Sequence, residues 1–127
     1  MSTVFLAIDE VLAIHDDQIE SHGGSHGVRD LGLLESALAM PQAGFGGELL
    51  HPTLAEQAAA YLFHIAKNHP FVDGNKRVAL ACALTFLHVN GAPLHAPPDE
   101  VAGLTEKIAA GELSKADAAV YFRKHAR

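Results

Sequence analysis

Residues His69 to Arg77 read HPFVDGNKR, which places an imidazole, a carboxylate, an amide and two cations in nine consecutive positions. A histidine has the near-neutral basicity needed to take a proton from a hydroxyl. A carboxylate such as Asp73 can hold Mg²⁺ on phosphate oxygens. Gly74 lets the backbone approach a ligand closely, and Asn75 adds an amide donor. Lys76 and Arg77 open an apolar helix, where N–H groups lack partners and the helix dipole is positive. Two cations are out of place there, each unfavourable by about 0.3–1 kcal/mol. The sign reverses once phosphate is bound, because N–H groups, Lys and Arg then converge on one anion. Taken singly, His-Pro ends a helix, DGN makes a turn and KR is a solvated face. Together, ahead of an apolar run, they describe phosphoryl or nucleotidyl transfer.

Helices must position these residues. Ile8, Leu12, His15 and Ile19 fall on one helical stripe, stopped by Gly23 and Gly24. Asp30 can cap a second helix with Leu33, Leu34, Ala37 and Leu38, ending before Pro41. PQAGFGGELLHP then reads as a mobile loop or short hairpin. Thr53 and Glu56 form a capping box for a third helix with Ala58, Leu62 and Ile65 inward. Pro70 closes it at about Asn68. A fourth helix runs from about Asn75 to Asn90, apolar nearly all round and therefore enclosed, with Gly91 as its stop. Pro97 and Pro98 precede a fifth helix that stops at Gly111. Ser114 with Asp117 opens a sixth bearing Ala118, Tyr121 and Phe122. Val4 to Leu6 alone reads as a strand. The expectation is an all-α, single-domain bundle of about six helices spanning residues 1–127.

Composition narrows the function. Of 127 residues 49% are apolar, enough for a core without staples. The one cysteine, Cys82, lies in the apolar run and reads as a buried, inert thiol in a reducing cytosol. The start, MSTVFLAIDEVL, lacks the cationic stretch of a signal peptide, and the run Val78 to Leu84 is far short of a membrane span. A cytoplasmic protein without membrane contact is expected. A net charge of −6 argues against a broad basic face for direct nucleic-acid binding.

HPFVDGNKR resembles the motif of the Fic/Doc family, in which the Fic branch reads H-P-F-x-[DE]-G-N-G-R-x-x-R and the Doc branch has lysine for the last glycine. VLAIHDDQIESHGG, GVRDLGLLESALAMPQ and FLHVNG are also similar to segments of Doc-type, or death-on-curing, toxins. The resemblance implies His69 as the general base that activates a hydroxyl on a target protein. It implies Asp73 as the Mg²⁺ ligand, the Gly74 backbone with Asn75 as an anion hole, and Lys76 and Arg77 on nucleotide phosphates. Phe71 would anchor the loop, and residues 44–50, with Phe45, Gly46, Gly47 and Glu48, would be a flap that aligns the target. Doc-type toxins transfer the γ-phosphate of ATP to a threonine of elongation factor Tu and so stop translation. Lys76 in place of glycine, and Leu80 where AMP-transferring members have a second arginine, favour the kinase over AMP transfer. The self-inhibiting pattern [ST]-x-x-x-E-[GN] is absent, TEKIAAGE having the wrong spacing, so the resemblance implies a separate Phd-like antitoxin.

Rival readings have weaker support. HDD at His15 to Asp17 is similar to HD phosphohydrolases, but their upstream histidine is missing. His22 and His26 sit in a glycine loop without ligand spacing, and His64 reads as a packed or surface histidine. GFGGEL lacks dinucleotide-binding spacing, and there is no Walker-type loop. A non-catalytic interaction module that keeps the fold is the remaining alternative.

Overall fold

The computed structural model describes residues 2–127. Helix α1 spans Ile8–His22, α2 Leu31–Ala39, α3 Leu54–Asn68, α4 Asn75–Val89, α5 Pro98–Ala109 and α6 Lys115–His125. Between α2 and α3 lie a 3₁₀ turn, Met40–Gln42, and a hairpin of β1 (Gly44–Phe45) and β2 (Glu48–Leu49). The hairpin is antiparallel, with Gly44 opposite Leu49 and Phe45 opposite Glu48. The all-α expectation stands, and the loop before α3 takes its hairpin form.

Local chemistry sets the boundaries. The Asp30 carboxylate accepts from Leu33 N at 2.9 Å and starts α2. Thr53 Oγ1 accepts from Glu56 N at 3.2 Å and donates to the Glu56 carboxylate at 2.7 Å, so Glu56 clamps the cap hydroxyl instead of returning to the backbone. Ser114 and Asp117 form the full reciprocal box at α6.

The most enclosed helix is α3, not α4. It contacts α2, α4, α5 and α6, and buries Ala55, residues 57–62, Ile65 and Ala66. Its alanines let neighbours approach on every side, whereas α4 keeps Leu80, Ala81, Leu84 and Thr85 half-buried. On α1 the inward set is Val11, His15 and Ile19; Ile8 and Leu12 lie further out. Residues Val4 to Leu6 form no strand. The Asn90 amide takes both polar groups of the Val4 backbone, at 2.8 and 2.9 Å, and Leu6 N donates to the buried Tyr61 hydroxyl. Side chains therefore satisfy the backbone that a neighbouring strand would otherwise pair.

Candidate active site

The loop from α3 to α4 is held from beneath by Phe71 and from the side by the chain that follows α1. Phe71 is buried, and the buried His15 ring stacks on it with centroids 3.9 Å apart. His15 Nε2 donates to Asp73 O at 2.9 Å, since a carbonyl only accepts, which fixes the tautomer. Asn75 folds back on the same anchor: its Oδ1 accepts from Phe71 N and its Nδ2 donates to Phe71 O, at 2.9 and 3.0 Å. The Asn75 side chain is thus engaged in shaping the loop, and its offer to an anion is the main-chain N–H.

Residues 23–30 form the wall. Val28 pairs with Phe71 as an antiparallel bridge, and Val72 N donates to Gly27 O at 3.0 Å. Ser25 N donates to Asp73 Oδ2 at 3.1 Å, while Gly74 N donates to Asp73 Oδ1 at 2.8 Å. These two N–H groups, Ser25's first, hold the Asp73 carboxyl below its ordinary range, with Arg77 adding to the effect. Arg77 donates from Nη2 to Gly23 O at 2.9 Å. Gly24 fits between these groups at φ +119°, where a Cβ would stand 2.8 Å from Asp73 Oδ2.

A cleft of about 500 Å³ opens above the loop, lined by His69, Val72, residues 73–77 and Glu106 of α5. His69, the single non-glycine residue with positive φ among those described (φ +48°), caps α3 in the left-handed region, its ring exposed. Gly74 precedes α4 at φ +75°, and no side chain caps that helix among the described residues. The first-turn N–H groups of α4 therefore have no intrahelical acceptor and lie where a phosphate oxygen would be welcome. Lys76 Nζ pairs with the Glu106 carboxylate at 3.0 Å, a partner 30 residues away that spacing could not indicate.

Phe71 anchors the loop from beneath as expected, and His69, Asp73, Gly74, Asn75, Lys76 and Arg77 all line one cleft. The hairpin residues do not: Phe45, Gly46, Gly47 and Glu48 line concavities of their own, with Phe45 93% exposed. Sequence reasoning missed Glu106, Arg29 and the Gly23–Ser25 wall, having read the wall as a helix stop and a glycine loop. Among the described residues no cluster of three or more His, Cys, Asp or Glu side chains forms a metal site. The donor set nevertheless suits Mg²⁺, which binds through one or two carboxylates plus substrate phosphates: Asp73 lines the cleft and its carboxyl is held toward the charged form.

A profile of the Fic/DOC family matches residues 5–87, which run from before α1 into the last turn of α4. The chain belongs to the Fic/Doc family. It is 53% identical over 77 residues to "Toxin Doc" of Mycolicibacterium smegmatis, a match covering 61% of this chain and 59% of that relative. It is 39% identical over 116 residues to "Protein kinase doc" of Escherichia phage P1, covering 91% of this chain and 90% of that one. The second match extends the kinship of this Fic/Doc chain past the family profile into α5 and α6. Among the described residues no helix is long and apolar enough to cross a membrane.

Proposed function

We propose that this chain is a Doc-type toxin, a protein kinase that transfers the γ-phosphate of ATP to a hydroxyl of a target protein. One observation carries the reading: His69, the Asp73 carboxylate, the open N-terminus of α4 and the cations Lys76 and Arg77 face a single cleft. The similarity to a phage P1 protein kinase over nine-tenths of the chain supports it.

In this reading His69 takes the proton of the acceptor hydroxyl as its oxygen bonds to the γ-phosphorus. The bond from that phosphorus to the bridging β,γ-oxygen breaks, and ADP leaves with the electron pair. Phosphate oxygens receive the N–H groups of residues 75–77 and the charges of Lys76 and Arg77. Asp73 is the side chain that would hold Mg²⁺, which when bound neutralises phosphate charge. The Lys76–Glu106 pair is exposed, worth about 0–1 kcal/mol, so an incoming phosphate displaces Glu106 at small cost. The hairpin is the candidate aligner of the target segment, elongation factor Tu is the candidate target with a threonine as acceptor, and a Phd-like antitoxin in trans is the candidate silencer.

Incubating the purified chain with bacterial lysate and ATP labelled at the α or the γ position tests this. Protein labelled from γ alone supports the kinase. Label from α would mean AMP transfer, and label from neither would leave an interaction module.

A further inference from the structure

His69 adopts left-handed geometry at φ +48°, uncommon for a residue with a side chain, and Arg29 holds the carbonyls on either side of it. Left-handed geometry at a non-glycine residue persists when its surroundings over-determine it. At His69 the surroundings are specific. Arg29 Nε donates to His69 O at 2.7 Å and Nη2 donates to Asn68 O at 3.0 Å, so one guanidinium bridges two successive carbonyls. Arg29 N donates to the next carbonyl, Pro70 O, at 2.8 Å. From the other side the Asn68 amide donates to Leu33 O at 3.0 Å. The fork thus holds the two peptides that flank His69, Asn68–His69 and His69–Pro70, and the Arg29 main chain holds the next, Pro70–Phe71.

We propose that Arg29 is a positioning residue for the His69 ring, setting the direction from which it meets the acceptor hydroxyl; this rests on the kinase reading above. A cation at a helix C-terminus would by itself be a stabilising cap. Three features point further: both donors land on the two residues that set the His69 φ, Nε is the shorter of the two contacts, and the imidazole has no side-chain hydrogen bond of its own to steer it among the described residues. The backbone is then what aims the ring. Arg29 meets neither Lys76 nor Arg77, so nucleotide binding is separable from it.

The test compares R29M and R29K with the full-length wild type. In R29M, kcat for γ-phosphate transfer should fall about tenfold or more, because a misaimed base loses rate and not affinity. The Kd for ATP with Mg²⁺ should stay within about twofold. R29K, whose ammonium reaches one carbonyl, should fall between the two. His69 ring-proton NMR signals, assigned by their loss in H69A, should shift or broaden in R29M. Unchanged kcat and an unchanged His69 spectrum would overturn the proposal, as would equal losses of kcat and ATP affinity. If R29M does not fold, R29Q, which keeps one N–H donor, is read by the same criteria. If the wild type transfers no phosphate, the kinase reading fails alone, and the His69 spectrum still decides the role of Arg29.

Discussion

At the scale of residues, His69 and Asp73 carry opposite demands. In the proposed kinase His69 needs a free, exposed ring, and Asp73 needs to be a fixed, charged carboxylate; the loop supplies both within five positions. Replacing His69 with alanine should cut target phosphorylation by about 10²-fold or more, as expected for a lost general base, with ATP affinity largely kept. Near-wild-type turnover would remove His69 from that role. For Asp73→Asn, calorimetry should show ATP binding weakened more with Mg²⁺ than without, because a neutral amide is a poorer ligand for a hard cation. Equal losses in both conditions would place Asp73 outside the metal site.

The unit that matters at the scale of elements is the chain between α1 and α2. It touches the loop and the start of α4 through Gly23, Ser25, Gly27, Val28 and Arg29, from 40 to 54 residues away in sequence by its side-chain hydrogen bonds. Gly24→Ala should be costly on two counts: φ +119° is strained for a side chain, and the new methyl would displace the Asp73 carboxylate. We expect a fall in melting temperature together with a loss of the Mg²⁺ dependence of ATP binding. A variant that lost stability but kept the full Mg²⁺ effect would show that the wall supports the fold without setting Asp73.

For the whole molecule, His64 joins α3 to α6. Its Nε2 accepts from Lys115 Nζ at 3.1 Å, and burial, then Lys115 and His51, push its pKa down to about 4 from 6.5. Because the folded value is the lower one, the stability it contributes is complete above 6.5 and is lost as pH falls through the interval to about 4. Melting temperature should therefore decline over that window, and His64→Gln should flatten the decline. An identical slope in the variant would assign the acid sensitivity elsewhere, His51 being the next candidate because burial lowers it too. At this scale the toxin reading also makes its physiological prediction. Expression of the chain alone should arrest growth, and co-expression with a neighbouring reading frame should relieve the arrest through direct binding. Normal growth with soluble, ATP-binding protein would count against both partners of that pair.

The sequence by itself determined the helices and the chemical content of the loop, because both are local. Asp30, Thr53 and Ser114 cap within three residues of themselves, and prolines and glycines end helices where they stand. Likewise His69, Asp73, Lys76 and Arg77 fall within nine residues, a short loop and the first turn of α4, which cannot carry them far apart. Tertiary structure decided everything that depends on a distant partner. No local signal marks Glu106 as the partner of Lys76, or the Val4 backbone as the partner of Asn90 in place of a strand. The RD pair ahead of α2 was legible for its aspartate, which caps its own helix, and silent for its arginine, which serves the end of another. Periodicity placed His15 inward, but its place beneath Phe71 and Asp73 required α1 to pack against α4. The physical reason is range: capping, turn chemistry and periodicity act over a few residues, whereas side-chain hydrogen bonds across the core exist once packing has brought their ends together.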